Sequence, residues 1–183
     1  MMNCLQIGSL ASLISLVAGV GLARQADATS PAGATMATES KSVTKVKKGG
    51  AVMKGFVKDI EGLAVKNDDF RRVLYTAKHC QLVVMALKPK EEIGAEVHKT
   101  IDQFFRVEEG TGEAVLDGVR TPIQAGFAVV VPAGTNHNII NTGSVPLKLY
   151  TLYSPPNHRD GVVHHTRADA EADNEHFEGK TTE

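Results

Sequence analysis

Disulfide chemistry is the first thing this sequence lacks. Its 183 residues hold 2 cysteines, Cys4 and Cys80, both isolated, and loss of Cys4 with a presequence would leave Cys80 without a partner. No disulfide framework can then hold the fold. A basic face is missing as well: 20 Lys and Arg stand against 21 acidic residues, for a formal net charge of -1. A duplex binder concentrates its cations on one face, so this balance points away from nucleic acid, and no basic cluster awaits a phosphate. There is no tryptophan, and the apolar run at residues 10–23 is too short to span a bilayer comfortably. Apolar content is an ordinary 42%, and the length suits one domain with a real core rather than two.

The first fifty or so residues differ in composition from the rest. Residues 10–23 have the length of a signal-peptide core, and Ala26-Asp27-Ala28 puts small residues where a signal peptidase reads, although residues 1–6 carry no Lys or Arg. Two expectations follow. Either residues 1–28 are a signal peptide and the protein is exported, or translation starts at Met53 and the protein is cytoplasmic. Residues 29–52, rich in Ala, Thr, Ser, Lys and Gly, read as a disordered linker, because such a composition buries too little surface to order itself.

From Lys54 the pattern becomes globular. Residues 56–60 suit an edge strand or a short helix, and Asn67-Asp68-Asp69 marks a turn before a run at 70–75. The run at 81–87 has little polar content, as in a strand buried on both faces. Short β-prone segments then recur at 96–98, 103–108, 113–116, 121–123, 127–131, 137–141 and 147–153, punctuated by Gly, Pro and Asp117-Gly118, with Gly110-Thr111-Gly112 also read as hairpin-type. This spacing predicts an all-β sandwich or barrel over residues 53–155, followed by a polar extension and acidic tail over 156–183.

The most informative stretch is 126–141. Its apolar run ends at Pro132-Ala133-Gly134, which fixes one φ and frees another, and His137 then opens a second apolar run. Gly126, five residues, Pro132-x-Gly134, two residues, His137, three residues and Asn141 resembles the second signature motif of the cupins. An altered first motif lies upstream, where the family has His-x-His, three or four residues, Glu, six residues and Gly. Here the series is Glu96-x-His98, four residues, Gln103, six residues and Gly110. The resemblance implies a small antiparallel jelly-roll barrel whose interior can hold a ligand.

It also implies that Glu96, His98, Gln103 and His137 converge inside that barrel on a divalent transition metal. Glu96 and His98 are two apart, so on a strand they share a face. Taken alone, either histidine would more simply be a hydrogen-bonded or surface residue, and Glu96 a strand-end charge. Together with the second motif they make a two-His-one-carboxylate set suited to Fe, Mn, Ni or Zn. Gln103 is a weaker donor, either a loose ligand or an interior amide. Phe105 shares its parity and is a candidate substrate-binding wall, or plain core. Arg106 faces the other way, a solvated charge or a contact for an anion.

Beyond a proline turn, only one of the adjacent His164 and His165 could join a common site, because neighbouring strand residues point to opposite faces. Residues 167–183 read as a solvated tail with at most a weak helix. The resemblance implies a metal-binding protein acting on a small organic substrate, dioxygenase-like or sugar isomerase-like; the alternative is a non-catalytic ligand-binding barrel with a structural metal or none. The ligand types are similar to those of mannose-6-phosphate isomerases, with the amide and carboxylate exchanged in order. Many cupins pair into homodimers, and residues 56–75 could supply such a contact.

Overall fold

A strand with almost no polar content needs cover on both faces, and the 81–87 run obtains it. In the computed structural model, which describes residues 54–183, β2 (Gln81–Leu87) lies between β1 (Arg71–Thr76) and β9 (Leu147–Ser154). Six of its seven residues are buried. The leader and linker expected in residues 1–52 fall outside the described residues.

The remaining strands are β3 (Glu96–Val97), β4 (Asp102–Glu109), β5 (Thr111–Leu116), β6 (Val119–Gln124), β7 (Ala128–Val131), β8 (Asn136–Asn141) and β10 (Val163–His164). They form a six-stranded sheet, β10-β1-β2-β9-β4-β7, and a four-stranded sheet, β3-β8-β5-β6, all antiparallel. This is the expected jelly roll, and β10 carries its β-structure past residue 155. The core lies between the sheets. Val83, Met85, Leu87, Phe105, Val107, Ile139, Leu147 and Leu149 meet there, drawn from alternate positions of facing strands.

Local chemistry explains the turns. Asp117 and Gly118 both take positive φ, 46° and 83°, which matches the two-residue hairpin joining β5 to β6. Gly110 is different. β4 and β5 belong to different sheets, so this glycine carries a crossing, not a hairpin, and Thr111 and Gly112 already belong to β5. At φ +90° a side chain here would meet the Pro146 carbonyl at 2.7 Å. The Pro132–Gly134 turn likewise passes the chain between sheets: β7 pairs with β4, while β8 pairs with β3 and β5.

The ambiguous run near 56–60 gives way to a short helix, α1 (Ile60–Lys66). Asp59 caps it by accepting from Gly62 N, and the buried Lys148 ammonium holds its far end by donating to Asn67 O and Asp68 Oδ1. The acidic tail is polar as expected, yet it is not free in solvent. α2 (Arg167–Ala172) starts with a Thr166–Asp169 capping box, Phe177 N donates to Asn157 O, and Thr182 exchanges hydrogen bonds with Thr76 on β1. Polar side chains and main chain, with Ala170 against the core, dock this segment. Composition alone does not register that.

Asn141, the last residue of the second motif, is 1% exposed and serves the fold. Its amide donates to Leu87 O and Val145 O, and its carbonyl accepts from Gly143 N. Asn141→Ala should therefore leave buried carbonyls unsatisfied and cost about 2–3 kcal/mol, whereas Thr142→Ala at the exposed neighbour should stay within about 0.5 kcal/mol. Urea unfolding of both variants measures the contrast.

Candidate metal centre

Two backbone contacts bring the motifs together. Gly134 N donates to His98 O at 2.8 Å, and Ala133 N donates to Asp102 Oδ1 at 2.9 Å, so the Pro-Gly turn of the second motif is fastened to the first half of the first motif. β3 pairs with β8 in a register that sets Glu96 directly opposite His137, and directly opposed residues share a face. Gln103, on β4, sits opposite both Val131 and Tyr153.

The side chains follow from that frame. Glu96 Oε1 is 3.3 Å from His98 Nε2 and 3.4 Å from His137 Nε2, and Gln103 Oε1 is 2.9 Å from His137 Nε2. One donor atom from each of Glu96, His98 and His137 falls within 4.8 Å of the others. The His137 side chain is 0% exposed and Gln103 1%, while His98 and Glu96 retain 14% and 30%. The centre is closed on the Gln103 side and open to solvent on the Glu96 side. All four positions expected from the sequence are thus in one place.

Proton accounting shows what the arrangement lacks. His137 Nδ1 donates to Thr135 O at 3.2 Å, which leaves Nε2 as a lone pair. Gln103 Nε2 donates to Thr151 Oγ1 at 3.1 Å, which turns its carbonyl oxygen towards that same Nε2. His98 Nε2 is buried with no hydrogen-bond partner. Acceptors from His137, Glu96 and Gln103 therefore converge, and the unbonded His98 Nε2 stands 3.3 Å from the same carboxylate; a cation would satisfy the set. The residues present fit a divalent metal: nitrogen and oxygen donors, with a hydrogen bond behind His137 and another behind Gln103 fixing their orientation.

Without a metal the cation can be a proton. Burial works against charge at Glu96, but the His137 and His98 imidazoles outweigh it and bring its pKa down to about 2. Burial likewise works against the charged form of His137. The Glu96 carboxylate and the Thr135 carbonyl prevail, and its pKa is raised above the ordinary 6.5.

Other placements refine the sequence reading. Phe105 faces inward as its parity requires, 6.1 Å between ring centroids from His137, but at 1% exposed it is core that backs the imidazole and shows no open face to a substrate. Arg106 lies outward with Glu108 3.8 Å away. His164 is buried and His165 exposed, bonded to different aspartates, Asp173 and Asp69. Tyr153 was missed. Its ring stands edge-on to His98 at 5.7 Å and to His158 at 4.9 Å, and burial raises its pKa far above the ordinary value, so the phenol keeps its proton. The alternation Leu147, Leu149, Thr151, Tyr153 was available to place it inward beside Gln103.

Comparison with known proteins agrees with this geometry. A family model for the cupin domain matches residues 83–153. The YrkC protein of Bacillus subtilis is 46% identical over 125 residues, covering 65% of this chain and 67% of that one. A protein of Acanthamoeba polyphaga mimivirus is 42% identical over 112 residues, covering 59% and 70%. The crystal structure of BH2720 from Bacillus halodurans superposes with a TM-score of 0.64 at 43% identity, over 64% of this chain and 94% of that chain. With both motifs, the jelly roll and these relatives in agreement, this chain belongs to the cupin superfamily.

Proposed function

We propose that this protein is a mononuclear metal-dependent cupin acting on a small organic substrate, in which Glu96, His98 and His137 hold a divalent transition metal and Gln103 lies beside it. The observation that carries the reading is the buried, unpartnered Nε2 of His98 aimed into a cluster of other lone pairs. A bound Fe, Mn, Ni or Zn would polarise a carbonyl or hydroxyl of the substrate and stabilise charge that develops on it.

The chain's own residues supply the rest. Thr135 and Thr151 hold His137 and Gln103 in their orientations, and Phe105 backs His137 so that it does not rotate away. The partly exposed side, where Glu96 and His98 sit, leaves a direction of approach for substrate. Tyr153, buried and keeping its proton, stands edge-on to His98 and backs that ring as Phe105 backs the ring of His137. Dioxygenase-like and isomerase-like chemistry both use such a centre.

Elemental analysis of the purified full-length protein should find a first-row divalent metal, depleted about tenfold or more by His98→Ala and by His137→Ala and retained by Arg106→Ala. Equal metal in all four proteins would contradict the assignment.

A second expectation concerns pH. In metal-free protein the Glu96 contribution to stability is present above its ordinary 4.5 and is lost as pH falls towards about 2. The His137 contribution is present below 6.5 and is lost as pH rises through its raised value. Above neutrality, thermal unfolding with chelator present should therefore show a falling Tm, while metal-loaded protein holds its Tm, since binding requires the deprotonated imidazole. Parallel profiles with and without metal would count against it.

A further inference from the structure

Four buried side-chain nitrogens lack a hydrogen-bond partner among the described residues: Arg71 Nε, His98 Nε2, Arg106 Nε and His164 Nδ1. A buried polar nitrogen left unpaired costs about 1–3 kcal/mol, so each asks for an explanation. His98 belongs to the metal centre, and Arg106 has Glu108 3.8 Å away. The other two lie together. Arg71 and His164 are directly opposed across β1 and β10, and therefore share a face of the sheet.

That face is the inner one. Arg71 has the parity of Val73, which is buried in the core, whereas Arg72 points outward and is held by Asp69. Arg71 forms no ion pair among the described residues, and its guanidinium carbon is 5.7 Å from the centroid of the Phe70 ring. The neighbouring carboxylates are already engaged. Glu175 accepts from His158 Nδ1 and Arg159 N, both at 2.6 Å, and Asp173 bonds His164 Nε2 and Arg159 Nη2. Arg71 thus has no ion pair among the described residues, and Glu175 and Asp173 are committed to other groups.

Its neighbourhood reaches the metal centre. β10 and β1 end one side of the larger sheet and β3 ends the smaller one; an Arg167–Glu92 ion pair, 3.6 Å, bridges from the segment after β10 to the segment before β3. Between them, the rings of His158, Tyr153 and His98 follow one another at 4.9 and 5.7 Å. The Arg71 charge and the Glu96 charge both act on the Tyr153 phenol and the His158 imidazole.

We propose that Arg71 is the anchor for an anionic group of the site's ligand, and that this group is the carboxylate of a small organic acid. His164 lies directly opposite Arg71; with its Nε2–H donated to Asp173, its Nδ1 is a lone pair that suits the guanidinium and not the anion. A single guanidinium among engaged carboxylates matches one negative charge; a phosphate dianion would meet repulsion from Glu96 and Glu175 that one arginine does not offset. This rests on the metal-site reading for what lies beside the anion, but not for the anion site itself.

The test titrates acetate into the full-length protein, metal-free and Mn(II)-loaded, with binding read by shift and broadening of the acetate methyl resonance. Acetamide and inorganic phosphate serve as comparison probes, and metal content is measured in every sample. Wild type should bind acetate in preference to both comparison probes; Arg71→Gln should weaken acetate about tenfold or more at unchanged metal content, and Arg71→Lys should recover part of the loss. Acetate affinity that is equal in wild type and Arg71→Gln overturns the proposal, as does phosphate binding more tightly than acetate. If Arg71→Gln does not fold, the acetate preference of Arg71→Lys over acetamide decides the matter in the same sense. Should wild type hold no metal yet lose acetate on Arg71→Gln, the metal reading fails and the anion anchor stands.

Discussion

Acceptor atoms crowded together at one half-closed place are the constraint on which this molecule depends. His137 Nε2, Gln103 Oε1, Glu96 Oε1 and His98 Nε2 meet at distances of 2.9 to 3.4 Å between neighbours. The hydrogen bonds behind them, from His137 to Thr135 and from Gln103 to Thr151, use the protons that could have relieved the repulsion. A positive charge among them would offset it. Whether that charge is a proton or a metal ion is a competition, and the depressed pKa of Glu96 and raised pKa of His137 describe the proton's side of it.

The fold serves to hold these groups together against that repulsion. Two sheets supply them: β4 of the larger gives Gln103, and β3 and β8 of the smaller give Glu96 and His137. The turn at Pro132–Gly134 crosses between sheets and is bonded to His98 and Asp102 on its way, so the imidazole of one motif cannot drift from that of the other. Asn141 closes the same strand at its far end. The motif residues divide into those that present donors and those that fix the main chain around them, and both kinds are needed for one rigid centre.

Much of this could be read from residue order alone, because parity and turn chemistry are local. Gln103, Phe105 and Val107 face inward as alternation requires, and Asp117-Gly118 makes its hairpin. The spacing of Glu96, His98 and His137 against the cupin pattern points to three side chains that the fold brings within 4.8 Å of one another. What the sequence could not disclose depends on long-range pairing. Nothing local to Gly110 says that its turn changes sheets. Nothing in the acidic composition of the last residues says that Glu175 reaches His158, or that Thr182 lies along Thr76. Arg71 reads as one half of an ordinary Arg-Arg pair until β10 pairs with β1 and shows which of the two faces inward.

X-ray absorption at the edge of the metal, on protein loaded with Mn(II) or Zn(II), tests the centre most directly. The account predicts nitrogen and oxygen scatterers only, with outer-shell scattering from two imidazole rings that falls to one in His98→Ala. A spectrum without imidazole scattering, or one that His98→Ala leaves unaltered, would contradict it.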